Sequence, residues 1–96
     1  MAKYRLAPTA EHDLEQIWRT TAEEWGIDQA HRYTDKLSAV FEKLAEAPDR
    51  AAACDHIRLG YRRRNVERHV IYFRKMADGI NIMRILHDRM DATRHL

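Results

Sequence analysis

The chain has little of what staples a small or secreted protein. Among its 96 residues is one cysteine, Cys54, so no internal disulfide can form, and the opening MAKYRLAP lacks the apolar core of a secretory leader. A reducing, cytoplasmic setting is the expectation. No apolar run nears the ~20 residues needed to cross a bilayer, so no membrane partner is expected. Glycine occurs three times and proline twice; so few cannot build a Gly-rich phosphate loop or a flexible linker, and each instead marks a break. There is no Ser-His-Asp order, and Cys54 has no paired histidine or orienting third residue, so it reads as an incidental loop thiol. The six histidines, His12, His31, His56, His69, His87 and His95, show no compact ligand spacing, and neither a metal nor a cofactor is expected.

What is present suffices for one domain spanning 1–96. A hydrophobic fraction of 45% beside 33% charged residues, in 11.4 kDa, suits a globular chain with a single core. The stretch from His69 to Asp91 organises it. Val70-Ile71-Tyr72-Phe73 and Ile80 to Leu86 are rich in aliphatic and β-branched residues and flank Ala77-Asp78-Gly79. That pattern predicts a β-hairpin in which Gly79 supplies a positive φ. Both runs are more apolar than strict alternation gives, so at least partial cover is expected on each face.

Ahead of the hairpin, Lys3-Tyr4-Arg5-Leu6 alternates as a first or edge strand does. Pro8 opens a helix whose apolar stripe runs through Ala10, Leu14, Ile17, Trp18, Thr21 and Trp25, with Gly26 placed for a left-handed cap. Asp28 is placed to cap a second helix with the stripe Ala30, Tyr33, Leu37, Val40, Phe41 and Leu44, closed by Pro48. Only Gly26 and Ile27 separate the two, which demands an antiparallel pair. Residues 49–56 read as a loop, a short strand begins at Ile57, another covers Tyr61 to Val66, and Asp91 caps a last turn, Ala92 to Leu96. The expected class is α+β: an N-terminal antiparallel helical hairpin packed on a small, mainly antiparallel β-sheet. Trp18 and Trp25 then belong to the core.

Charge is unevenly spread. Residues 1–56 hold seven Lys or Arg against eleven Asp or Glu, a balance of −4, and residues 57–96 hold ten against four, a balance of +6. Nine of those ten are arginine, whose planar fork suits carboxylate and phosphate, so an anionic partner is inferred. The picture is a cationic β-layer shielded on one side by helices and free on the other. Arg62-Arg63-Arg64 alternate between the two faces, and either contact the target directly or form a solvated strand that guards against edge-to-edge aggregation. Arg84, amid Ile82, Ile85 and Leu86, must pair or point into a functional groove, because an unpaired buried charge is costly.

Several landmarks coincide: Ala7-Pro8 opening a helix with Glu11 and Leu14 three apart, and Trp25-Gly26 before a helix with Ala30, Tyr33 and Leu37. Leu59-Gly60-Tyr61-Arg62, Arg68-His69-Val70-Ile71-Tyr72 and the closing Arg84 to Asp91 follow. Together they resemble the ParE/RelE toxin superfamily of type II toxin–antitoxin modules, more closely its ParE branch, over essentially the whole chain; ILHDRMD is the most specific part. The resemblance implies a toxin linked to plasmid stabilisation that inhibits DNA gyrase without being an enzyme, and a ParD-like antitoxin that joins it in a hetero-oligomer. It implies target contacts at Arg63, Arg64, Arg68, Arg84, His87 and Arg89, and antitoxin contacts at Leu14, Trp18, Tyr33, Leu37, Arg58 and Tyr61.

The alternative is a RelE-like, ribosome-dependent mRNA endonuclease, with the ribosome and its message as partners. Glu67, His69, Arg84 and His87 would then supply proton transfer and a cation on the phosphate. Many RelE-like nucleases also use a tyrosine beyond the last strand, where this chain has Ala92-Thr93-Arg94-His95-Leu96, which weighs against cleavage. For His69 and His87 the plainer reading is backbone hydrogen bonding at strand ends. A third reading is a non-catalytic basic binding module.

Overall fold

A computed structural model describes residues 3–96. In chain order it comprises β1 (Lys3–Leu6), α1 (Pro8–Trp25), α2 (Ile27–Glu46), a 3-10 turn (Pro48–Arg50), β2 (Ala52–Ala53), β3 (Tyr61–Val66), β4 (His69–Met76), β5 (Gly79–His87) and α3 (Ala92–His95). The sheet order is β1-β5-β4-β3-β2, with β1 parallel to β5 and the other pairs antiparallel. The expected α+β architecture is therefore present, with the helical hairpin laid on one face.

Gly26 alone joins the two long helices. At φ 93° and ψ 164° it is not in the left-handed helical region expected of it but in an extended one open essentially to glycine only. Its N–H bonds to the Ala22 carbonyl and its carbonyl accepts the Ala30 N–H, so one residue ends α1 and starts α2. Asp28 consequently lies inside the first turn of α2 and makes no side-chain cap; its charge there still suits the helix dipole.

The main core lies between hairpin and sheet. Ala10 and Ile17 of α1 and Tyr33, Leu37 and Phe41 of α2 meet Val66, Ile71, Phe73, Ile80, Ile82 and Ile85. Full burial of side chains such as Leu37, Phe41 and Phe73 contributes about 1.5–3 kcal/mol each. A second, smaller cluster lies on the opposite face: Cys54, Tyr61, Val70, Tyr72, Leu86 and Ala92, with Ile57, Met83 and Leu96 against it. Cover on both faces was expected, but it corrects the picture of a free cationic face, because the 54–60 segment and α3 roof much of it. Cys54 is likewise a packing residue, 0% exposed, with its thiol pushed up mainly by burial.

Other expectations change for identifiable reasons. Trp25 is 73% exposed, because the last turn of α1 borders an open groove instead of packing against the sheet. Trp18 is half-buried, its indole N–H reaching His31 Nδ1 at 3.4 Å across the helix pair. The short strand falls at Ala52–Ala53, inside the supposed loop, where it pairs with Arg63 and Arg62; from Ile57 to Gly60 the chain only turns. Gly79 belongs to β5 and is not among the positive-φ residues. It is glycine because the Lys3 backbone of β1 fills the place a Cβ would take. Among the described residues, no helix is long and apolar enough to cross a membrane.

Candidate functional site

The far end of the helical hairpin and the adjoining end of the sheet enclose a broad, open groove of about 1530 Å³. Ile17, Thr21, Trp25, Ile27, Arg32 and Tyr33 line it from the helices, His69, Ile85 and His87 from the sheet, and Glu67, Arg68 and Met90 from the turns. Trp25, Ile27 and Met90 are 73%, 60% and 40% exposed. Apolar surface and charge thus meet at one place.

His69 and His87 stand opposite each other across β4 and β5, ring centroids 5.5 Å apart. Tyr33 Oη lies 2.7 Å from His69 Nδ1 and 3.3 Å from the Val66 carbonyl. Burial, then the charges of Glu67 and Asp88, push the Tyr33 phenol up to about 12. Burial, then His87, hold His69 below the usual histidine value. Both groups are therefore neutral near pH ~7. Glu67 occupies the β3–β4 turn at φ 52°, a left-handed conformation that costs a residue with a Cβ about 1–2 kcal/mol. Its carboxylate accepts a hydrogen bond from Lys36 Nζ at 2.8 Å. His87 Nδ1 lies 3.1 Å from Asp88 and accepts the Arg89 N–H at 3.2 Å.

Three of the four candidate nuclease residues, Glu67, His69 and His87, thus share one rim, each already bonded within the chain. Arg84 is elsewhere. Its Nε and Nη2 donate to Asp13 at 2.7 and 2.9 Å, and its Nη1 to the His95 carbonyl at 3.0 Å. Asp13 also accepts the Ile85 N–H at 3.0 Å, and Thr9 donates to the Met83 carbonyl at 2.9 Å. These side chains satisfy the edge of β5 where β1 has ended. The need for an Arg84 partner was legible in its apolar neighbours, but nothing local singled out Asp13, 71 residues away.

The expected target residues do not form one face. Arg68 and His87 line the groove, where the Arg68 carbonyl accepts the Asp88 N–H at 2.7 Å, while Arg89 is exposed in the turn that follows β5. Arg64 is exposed on the helix-side face of β3 and Arg63 on the other, while Arg84 is used internally. The antitoxin set also splits. Leu14 and Trp18, with Leu6, line a shallow apolar strip of about 480 Å³ bordered by Glu11, Glu15 and Arg19. Leu37, Tyr33 and Tyr61 are only 0%, 9% and 7% exposed, so they offer little free surface, although Tyr33 lines the groove; helical periodicity selects the core-facing stripe first. Arg58 lies 5.7 Å over the Tyr61 ring, on the opposite side of the sheet from the helices.

Comparison with known proteins agrees with this architecture. Residues 4–92 match the family described as the ParE toxin of the type II toxin–antitoxin system parDE. The chain is 40% identical over 96 residues to Toxin ParE1 of Mycobacterium tuberculosis strain H37Rv, covering 99% of this chain and 98% of that one. It is 38% identical to Toxin ParE1 of Caulobacter vibrioides, covering 100% and 99%, and 31% identical to Toxin ParE of Escherichia coli, covering 100% and 94%. The solved structure of a chromosomal ParDE system from P. aeruginosa shares the fold, with a TM-score of 0.78 at 20% identity over 91% of this chain and 96% of that one.

Proposed function

This chain belongs to the ParE toxin family of type II toxin–antitoxin systems, and on that footing we propose that it inhibits DNA gyrase in the cytoplasm and is neutralised there by a ParD-like antitoxin in a hetero-oligomer. The groove carries the reading. Exposed Trp25, Ile27 and Met90 line it with Arg32, Arg68 and His87, a mixture of aromatic anchor and arginine rim that suits a protein target. RNA cleavage would instead require Glu67 to leave Lys36 and His69 to leave Tyr33 before either could move a proton. The Leu14 and Trp18 strip offers a separate seat for apolar side chains of the antitoxin.

Purified chain added to gyrase and relaxed plasmid tests the target. Inhibited supercoiling or linearised DNA supports the proposal; unaffected gyrase together with A-site cuts in translated message would establish the ribonuclease alternative instead. Mixing with a ParD-like chain should raise the melting temperature by linkage, and Trp18→Ala should reduce that rise.

A further inference from the structure

The sheet face turned away from the helices carries arginines that no acid in the described chain answers. Tyr4, Leu6, Phe73, Ile80 and Ile82 pack into the helix-side core, so Arg5, Arg74 and Asn81, alternating with them, face the other way. Tyr61 and Tyr72 belong to the opposite cluster, and Arg63 lies on their side of β3. Arg74 is opposite Tyr61 in one neighbouring strand and Asn81 in the other, Asn81 is opposite Arg5, and Arg63 is opposite Tyr72. Strand spacing puts Arg5 and Arg74 about 10 Å apart with the Asn81 amide between them. Arg63 and Arg74 are diagonal neighbours about 7–8 Å apart.

All three arginines are exposed, and among the described residues none has a carboxylate within 4.0 Å. Arg58 adds a fourth guanidinium over Tyr61. The carboxylates bordering this group along the chain are Asp55, which accepts the Gly60 N–H at 2.8 Å, and Asp78 in the β4–β5 turn.

We propose that this face binds the phosphate backbone of duplex DNA. Guanidinium forks match phosphate oxygens, and a duplex presents roughly one charge per 1.7 Å of axis, so cations spaced as these are can meet several phosphates together. Asn81 is placed to donate to a phosphate or sugar oxygen between two of them. A protein partner calls for an apolar anchor among the arginines, yet the tyrosines there are 7% and 4% exposed. Of the exposed apolar side chains nearby, Met76 ends β4 two residues beyond Arg74 and Leu59 lies in the turn before β3. Binding is to backbone and hence independent of sequence. In use, such a contact rests on the gyrase reading, since gyrase holds a duplex that the toxin would grip alongside the enzyme; binding to free duplex does not.

Fluorescence anisotropy of a labelled duplex of about 20 base pairs, titrated with the full chain over a salt series, tests it. Log K should fall with log salt at a slope of about −3, as three to four phosphate contacts require. The combined variant Arg5→Ala, Arg63→Ala and Arg74→Ala should bind at least ~10-fold more weakly with a slope nearer about −1, while Arg19→Ala on α1 changes neither. If the combined variant melts lower than the parent, Arg63→Gln alone carries the test and should flatten the slope by about 1. No binding at low salt, wild-type binding by the variants, or displacement by poly-glutamate at equal charge overturns the proposal. Gyrase inhibition by a chain that ignores free DNA removes this face alone, and DNA binding with gyrase untouched removes the gyrase target alone.

Discussion

Arg62 and Lys75, on the helix-side face of the sheet, share the Asp49 carboxylate at 3.4 and 2.9 Å, whereas their chain neighbours Arg63 and Arg74, on the opposite face, have no such partner among the described residues. Strands β1, β3, β4 and β5 together carry eight cations and no acid: Lys3, Arg5, Arg62, Arg63, Arg64, Arg74, Lys75 and Arg84. Their counter-charges must come from elsewhere. The acidic first half of the chain supplies them for three of the eight, through Asp13 to Arg84 and Asp49 to Arg62 and Lys75. The Lys75 hydrogen bond, chiefly, holds the Asp49 carboxyl below its usual value. One face is thus thickly packed and partly neutralised, the other thinly packed and left positive. Equal chemistry along a strand becomes unequal environment across it.

The sharpest way to break that comparison is to empty each core in turn. Phe73→Ala, in the helix-side cluster, should cost about 3–5 kcal/mol, and Leu96→Ala, at the margin of the far-side cluster, about 1 kcal/mol or less. Urea titration measures both; equal losses would mean that the two faces contribute alike. Next in size is Arg84→Ala. It leaves Asp13, whose side chain is only 10% exposed, without its bidentate partner, and should cost about 2–4 kcal/mol. Toxicity lost from a chain that melts like the parent would instead make Arg84 a target contact.

Gly79→Ala should cost about 1–3 kcal/mol by forcing the Lys3 backbone away, and hydrogen exchange should show β1 and the facing part of β5 losing protection together. The smallest effect concerns pH. His69 lies below its ordinary value in the folded chain, so as pH falls the unfolded chain takes up that proton first. The stability is fully present above about 6.5 and is lost as pH drops through the lower folded value. The melting temperature should fall as pH drops below about 6.5, and less steeply in His69→Gln.

Much of the fold was legible because its signals are local. The 3.6-residue stripes located both long helices, and the two apolar runs around Ala77-Asp78 located the β4–β5 hairpin. Trp25 misled for the same reason: it sits in phase with the stripe, and phase says nothing about where packing against the sheet gives way to an open groove. The candidate site was legible only in part. Glu67, His69 and His87 lie close in sequence or across one hairpin, so their meeting could be read. In the expected antitoxin set Leu37 and Tyr33 are buried, because the face that periodicity marks as apolar is the one that packing hides.

What the sequence determined by itself was the set of elements, their amphipathic faces and the excess of cations over acids in the strands. Each of these follows from covalent geometry and side-chain chemistry within a few residues. Only the tertiary structure decided that Asp13 answers Arg84, that the backbone of Lys3 excludes any side chain at position 79, and that Arg5, Arg63 and Arg74 gather without a carboxylate partner among the described residues. Those outcomes depend on which distant segments packing brings together, and the identity of such neighbours is encoded by the whole core rather than by any stretch of chain.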